Sequence, residues 1–145
     1  MSRGFSLIEL AIVLGIITIM SSGIILSVRS DRNRVLENTS LALQADFRYA
    51  QRRAIMEGRH YGIAFDVALN RYRIVVGRAR QTIRIVYLPN GVYILETSQP
   101  SHLMFLPRGT ATGGFRVTLT NGTYNQQLTA TVSGGRIRIF DRVPR

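Results

Sequence analysis

A single carboxylate interrupts a long apolar run near the N-terminus. The twenty residues from Leu7 to Leu26 include one ionisable side chain, that of Glu9. A helix of about 20 apolar residues matches the hydrocarbon core of a bilayer, which is about 30 Å thick. A carboxylate at the centre of such a span costs about 3 kcal/mol, and less near an end. We therefore expect Glu9 to meet an opposite charge, because pairing makes a buried carboxylate tolerable.

Two simpler kinds of segment share this composition. A secretory signal peptide has a shorter apolar core, of about 7 to 15 residues, and its small-residue cleavage site follows that core. Here the run is longer and the small residue, Gly4, precedes it. A plain membrane anchor explains the length, but it does not explain Gly4 beside Phe5 with an acid four residues further on.

Residues that could carry catalysis are few and far apart. The chain has no cysteine, and its two histidines, His60 and His102, are more than forty residues apart. The sequence holds no zinc-protease, nucleophile-elbow or phosphate-loop motif, and it has no paired cluster of acids. The sequence therefore predicts a protein that is not an enzyme and that binds neither a cofactor nor a metal.

Arginines dominate the charge, which is +11 with no lysine in the chain. The intervals between Asp66, Glu96 and Asp141 contain no acid and nine arginines. In an extended strand two of them would share one face and two more would follow closely: Arg136, Arg138, Arg142 and Arg145. Such a cluster could bind phosphates of a polyanion, or it could be a solvated edge strand whose charges prevent further pairing.

The apolar run leads into a segment with helical periodicity. Residues 29–58 lack proline, and from residue 28 onward apolar positions recur at spacings near three, four and seven: Val28, Val35, Leu36, Leu43, Phe47, Ala50 and Ala54. We predict one helix over residues 5–57, with Gly58 as its C-cap. Residues 5–28 would be its transmembrane half and residues 29–58 its amphipathic half.

After Gly58 the apolar period changes to two, which predicts a β-rich domain over residues 59–145. Turn dipeptides such as Asn121-Gly122 and Gly134-Gly135 separate short strands. The predicted strands cover residues 61–67, 71–76, 82–88, 92–96, 103–106, 115–120, 128–132 and 136–140. The fold class is therefore α+β, with a long N-terminal helix packed against antiparallel β-sheets of a small C-terminal domain.

The heptapeptide GFSLIEL at residues 4–10 closely resembles the class III signal of type IV prepilins and type II secretion pseudopilins. The resemblance implies that a prepilin peptidase removes residues 1–4 by cutting after Gly4, and then methylates the amine of Phe5. It also implies that Glu9 faces the N-terminal amine of a neighbouring subunit during assembly. One departure is Leu26, where many major pilins have a proline.

Residues from about 43 to 140 resemble the GspH/FimT domain of minor pseudopilins and minor pilins. The resemblance rests on AQRRAI at residues 50–55 with Gly58, on FLPRG at 105–109 and on GRIRI at 135–139. It implies a minor pseudopilin or minor pilin, a structural subunit in the initiating or tip complex of a type II secretion or type IV pilus filament. Its partners would be the prepilin peptidase, other pilin or pseudopilin subunits and the inner membrane.

The resemblance also sets an orientation. The chain would cross the bacterial inner membrane once, with the C-terminal domain on the periplasmic side. Charge counting opposes this, because Arg3 precedes the span alone whereas Arg29, Arg32 and Arg34 follow it. We give priority to the cleavage motif, which a peptidase reads on the cytoplasmic face.

An alternative function concerns the C-terminus. FimT-like minor pilins of DNA-uptake pili resemble this chain in a basic GRxR element, which residues 135–138 match. The resemblance implies that Arg136 and Arg138, with Arg142 and Arg145, bind double-stranded DNA during natural transformation. Because pseudopilins of secretion systems often end in a similar strand, the two functions and the solvated edge strand all stay open at this point.

Overall fold

One helix and nine strands make up the part of the chain that the computed structural model describes, which is residues 7–132 and 136–144, with the backbone alone for residues 20–30. The helix, α1 (Leu7–Glu57), has 51 residues and is therefore about 76 Å long. The strands are β1 (Tyr61–Asp66), β2 (Arg71–Val76), β3 (Gln81–Tyr87), β4 (Tyr93–Thr97), β5 (His102–Phe105), β6 (Phe115–Thr120), β7 (Tyr124–Ala130), β8 (Ile137–Ile139) and β9 (Val143–Pro144). The predicted α+β class is confirmed.

The strands form two antiparallel sheets beside α1. The first sheet has the order β3-β2-β1-β5, and the second has the order β4-β6-β7-β8, with β9 also paired to β7. Strands β1 and β2 form a hairpin, as do β6 and β7 around the predicted turn at Asn121-Gly122, and the registers place Ile63 opposite Ile74 and Val117 opposite Leu128. The predicted turn at Gly134-Gly135 lies outside the described residues.

The C-terminal half of α1 packs on both sheets through one stripe. Its fully buried side chains follow the helical period: Leu36, Leu43, Phe47, Ala50 and Ala54. The Phe47 ring lies 6.2 to 6.5 Å from the rings of Phe65, Phe105 and Phe115, which come from both sheets. Among the side chains that the structure describes, the buried hydrophobic ones begin at Leu36 and end at Ala130.

Two predicted details of α1 have different outcomes. The C-cap is confirmed, because Gly58 has a φ of +63° directly after the helix ends. Val35 was predicted in the buried stripe, but it is 36% exposed because it lines an open groove between α1 and the segment after β3. The side chain of Val28 is not among those described.

Two strands differ from the sequence prediction. β7 begins at Tyr124 rather than at residue 128, because its polar first half pairs with β6 through contacts such as Thr120 opposite Asn125. β9 was not predicted, since two residues that include a proline carry no periodic signal; it pairs Val143 with Asn125 of β7.

Two asparagines connect elements that are distant in sequence. Asn70, at a φ of +46°, donates from Nδ2 to the Val92 carbonyl (2.8 Å) and accepts from the Ile94 amide (3.0 Å). It thereby links the β1–β2 turn to the other sheet. Asn121 donates to Asn33 Oδ1 on α1 (3.0 Å) and accepts from the Tyr124 amide (2.8 Å), which holds the β6–β7 turn against the helix.

Candidate functional site

The N-terminal site predicted from the sequence is described only in part. Gly4 and Phe5 lie outside the described residues, whereas Glu9 lies in the first turn of α1 as the structure describes it. The large apolar side chains from Leu7 to Leu14 are 44% to 86% exposed, because neither sheet reaches this end of the helix. The described residues leave this segment uncovered, so apolar surroundings from another molecule would stabilise it.

Within the residues that the structure describes, no helical stretch is long and apolar enough to cross a membrane.

The C-terminal arginines lie on the second sheet, where β8 is the edge strand beside β7. Ile137 and Ile139 are half-buried against the core, and Arg138 between them is exposed, as the predicted alternation requires. In the strand register Arg138 faces Thr129 of β7, and Thr129 faces Arg116 of β6. The three side chains therefore form one row across the outer face, and we call them the arginine row.

The arginine row brings together charges that are distant in sequence. Neighbouring strands are about 4.8 Å apart, so the Cα atoms of Arg116 and Arg138 are about 10 Å apart. Both side chains are exposed. The sequence prediction included Arg116 only in the general excess of basic residues. The turn at residues 121–124 was the available signal, because a hairpin with this turn pairs Arg116 with Thr129.

The other predicted arginines are placed differently. Arg136 is exposed, and its carbonyl accepts a hydrogen bond from the Thr131 amide (3.1 Å). The guanidinium of Arg142 lies 3.9 Å from the carboxylate of Glu37 on α1, a half-exposed pair worth less than about 1 kcal/mol. Arg145 lies outside the described residues. The structure thus groups Arg138 with Arg116 and directs Arg142 towards the helix.

The outer face near the arginine row is not uniformly basic. A shallow groove of about 420 Å³ runs past Arg116 and Thr129 and is also lined by Glu96 and Ser98. The Glu96 carboxylate accepts a hydrogen bond from the Thr118 hydroxyl (3.1 Å). A polyanion on this face would meet one carboxylate beside the two guanidinium groups.

The three sequence segments that carried the resemblance to minor pseudopilins meet around α1. Gln51 donates from Nε2 to the Gly109 carbonyl (2.7 Å), and Gln44 donates to the Ile137 carbonyl (3.2 Å). Gly109 has a φ of +84°, and a Cβ there would lie 2.8 Å from Ile55 Cδ1. The helix segment, the loop at 105–109 and β8 therefore form one structural unit that fixes how the sheets dock on the helix.

Polar clusters elsewhere have structural partners. Arg80 Nη1 lies 3.1 Å from His102 Nδ1, and partial burial together with this positive charge lowers the pKa of His102. Tyr72 donates to Asp46 (2.7 Å), which also pairs with Arg84, and burial and the Asp46 carboxylate raise the pKa of Tyr72 above its usual range. His102 thus has a cationic neighbour instead of the carboxylate that a general base would use.

The architecture, one long helix that is covered over half its length by two antiparallel sheets, defines a pilin-like protein. The sequence matches the family model described as type II transport protein GspH over residues 39–135, and the prokaryotic N-terminal methylation motif over residues 1–25. The chain belongs to the GspH family. This confirms the resemblance to minor pseudopilins and minor pilins, which are structural subunits of type II secretion systems or type IV pili and not enzymes.

Solved structures with this fold come from both kinds of system. The minor pseudopilin EpsH from the type 2 secretion system of Vibrio cholerae has a TM-score of 0.61 at 16% identity, covering 72% of this chain and 95% of that one. The type IV minor pilin FimU of Pseudomonas aeruginosa PAO1 has a TM-score of 0.62 at 18% identity, covering 77% and 91%. At these identities the likeness shows the fold alone. A sequence search among curated proteins gives no match.

Proposed function

We propose that this chain is a minor pseudopilin or minor pilin of the complex that initiates, or caps the tip of, a type II secretion or type IV pilus filament. The observation that carries the proposal is the half-covered helix. The described core begins at Leu36, whereas the described part of this chain leaves the apolar side chains from Leu7 to Leu14 exposed. Such a segment is stable in lipid before assembly and against the helices of other subunits after it.

Processing and location follow from this function. A prepilin peptidase cuts after Gly4 and methylates Phe5, and residues 5–28 hold the subunit in the bacterial inner membrane. The C-terminal domain then lies on the periplasmic side. The N-terminal methylation motif at residues 1–25 and the uncovered apolar segment support this arrangement.

Glu9 has the role of an assembly contact. Its carboxylate lies among apolar residues, so it is stabilised when it meets the N-terminal amine of a neighbouring subunit. In this proposal the charge pair fixes the axial position of the incoming helix, because a slipped helix would leave the carboxylate unpaired in apolar surroundings.

Glu9→Val should prevent entry into the filament without removing the subunit from the membrane. Loss of one partner of a buried ion pair costs about 3 to 5 kcal/mol, so the amount of this subunit in sheared filaments should fall by more than about tenfold. Quantitative immunoblots of membrane and filament fractions measure both effects.

Thr18→Val is the matched control, because it places the same residue in the same apolar segment, where the Thr18 hydroxyl donates to the Leu14 carbonyl of its own helix. Its subunit should reach filaments at the level of the unmodified chain. Filaments that contain Glu9→Val at that level would remove the assembly role from Glu9.

A second candidate function is capture of double-stranded DNA, and the arginine row is the observation that favours it. Arg116 of β6 and Arg138 of β8 lie on one exposed face, on either side of β7, where each guanidinium can bind a phosphate in bidentate fashion. Arg136 continues this basic face beyond the row. Contacts of this kind depend on salt and not on base sequence.

Substitution of the arginine row should reduce the salt dependence of DNA binding. For Arg116→Gln with Arg138→Gln, the slope of log K against log salt should become less steep by about 2, since each lost phosphate contact removes about 0.9. Fluorescence anisotropy with a labelled duplex gives the slope.

Arg53→Gln is the control, because Glu57 and Tyr49 hold that guanidinium on α1. An unchanged slope in the double variant would exclude phosphate contacts by the row.

A further inference from the structure

β3 has an open edge that carries apolar side chains. It pairs with β2 on one side, and across the described residues no strand pairs with its other side. Six of its seven residues are exposed. Three alternate side chains are large and apolar, with exposures of 47% for Ile83, 45% for Ile85 and 64% for Tyr87. A long exposed edge of this composition is a template for pairing with another chain.

The opposite edge of the same sheet is covered. The segment after β5 folds back, so that the Thr112 amide donates to the Met104 carbonyl (2.8 Å) and Ala111 forms a bridge with Phe105. β3 has neither a proline nor a lysine, and a bulge at Ile83 shifts its register with β2 but leaves residues 84–87 regularly paired. Its one charged side chain, Arg84, pairs with Asp46 and lies 5.9 Å from the Tyr49 ring on α1. The charge that would protect this edge is therefore held against the helix.

A groove lies on the helix side of the same edge. It has a volume of about 320 Å³, and its lining includes Val35 and Ala42 of α1 together with Val86 and Leu88. A strand added beside β3 would run about 4.8 Å from it, and every second side chain would point towards the helix. Those side chains would cover the groove, and the alternate ones would lie on the outer face beside Ile85, near Arg73, which is opposite Ile85 in the β2–β3 register.

The charges around β3 indicate what kind of strand it accepts. Of the arginines between Asp66 and Glu96, Arg71 is paired with Asp66 and Arg84 with Asp46. Within the described part of the chain, three others form no ion pair with a carboxylate: Arg73, Arg78 and Arg80. The Nε of Arg73 is buried without a hydrogen-bond partner. This edge therefore favours a partner that carries carboxylates.

A second copy of the chain fits this edge poorly. It would bring no carboxylate to the arginines of the first copy, because residues 67–95 contain no acid. The charge pattern thus favours a different chain.

We propose that β3 binds, as an added antiparallel strand, an extended segment of another protein in which apolar and acidic side chains alternate. Backbone hydrogen bonds to β3 would supply much of the affinity, and the groove and the unpaired arginines would supply the selectivity. This goes beyond the proposed filament function and can fail while that function stands.

The test uses the full chain in detergent micelles and a blocked seven-residue peptide of alternating valine and glutamate. Amide hydrogen exchange in residues 81–87 should slow by about tenfold when the peptide is added, because the free edge becomes hydrogen-bonded. A peptide with lysine in place of glutamate should give no protection. Protection should weaken as salt rises, since the acidic side chains meet exposed arginines.

Two variants locate the contact. Ile85→Lys should abolish the protection, and Arg73→Gln should weaken binding and reduce its salt dependence. Val132→Lys is the matched control, because that residue is 51% exposed and follows β7 in the second sheet, which does not include β3, so it should leave the protection intact. Unchanged exchange in residues 61–66 of each variant verifies the fold, and Arg73→Gln provides the test if Ile85→Lys does not fold.

Three results would overturn the proposal. They are equal protection by the lysine peptide, protection of residues 81–87 by dimerisation without peptide, and protection by a duplex oligonucleotide but not by the acidic peptide. The second would assign the edge to another copy of the chain, and the third would assign it to nucleic acid. Sedimentation of the complex as a monomer with bound peptide supports the proposal.

Discussion

Phe47→Ala should lower the free energy of unfolding by about 3 to 5 kcal/mol, the range for removing a large buried aromatic side chain. Phe47 is 1% exposed and contacts Phe65, Phe105 and Phe115 at ring distances of 6.2 to 6.5 Å. These rings come from both sheets, so the substitution leaves a cavity where the helix and the two sheets meet. Urea denaturation of residues 31–145, which contain the whole described core, measures the change.

Leu41→Ala is the control for this prediction. Leu41 is on the same helix but is 50% exposed, so its loss should change the free energy of unfolding by less than about 0.5 kcal/mol. If Phe47→Ala lowered the free energy of unfolding no more than Leu41→Ala, Phe47 would not be at the centre of the core. The packing of α1 on both sheets would then be wrong.

Gly62→Ala should destabilise the first sheet by about 3 kcal/mol or more, because the added methyl group has no space. A Cβ at Gly62 would lie well inside van der Waals contact of the Leu103 carbonyl oxygen and of Met104 Sδ, and 2.9 Å from Met104 Cα. The Leu103 oxygen and Met104 Cα are backbone atoms of β5, which pairs with β1 at this point. The sheet could accept the methyl group only if β5 moved away from β1.

Gly113→Ala provides the comparison, since a Cβ at that position meets nothing within 4 Å and the residue is not at a positive φ. It should alter the midpoint of denaturation little, whereas Gly62→Ala should lower it sharply. Equal midpoints for the two variants would show that β5 does not pair closely with β1 at Gly62.

The sequence was informative where the signal is local. The heptapeptide at residues 4–10 and the helical stripe from Leu36 to Ala54 depend only on neighbouring residues, and the stripe predicts the helix and its C-cap at Gly58. The α+β class also needs the apolar period of two that begins after Gly58. The alternation of Ile137, Arg138 and Ile139 was similarly readable, because a strand puts successive side chains on opposite faces.

The features that the sequence did not reveal depend on residues far apart in the chain. The first half of β7 is polar, and it is a strand because β6 lies beside it. Asn70 connects the two sheets through Val92 and Ile94, a pairing that no local pattern encodes. The arginine row exists because two registers, β6–β7 and β7–β8, align Arg116 with Arg138.

The half-covered helix links the fold to the proposed function. Its C-terminal half is fixed by the core, so the domain is carried rigidly on the helix, and its N-terminal apolar half is left for lipid or for other subunits. A subunit built this way can leave the membrane only if an equally apolar surface replaces the lipid. Removal of residues 1–4 would create the free amine that Glu9 of a neighbouring subunit can meet.

Intact-mass spectrometry of the subunits in sheared filaments tests the central claim most directly. We expect filaments from the source bacterium to contain this chain without residues 1–4 and with one methyl group on the amine of Phe5. Cells that lack the prepilin peptidase should retain the full chain in the membrane fraction and have none of it in filaments. Filaments without this chain, or filaments in which it still begins at Met1, would contradict the account.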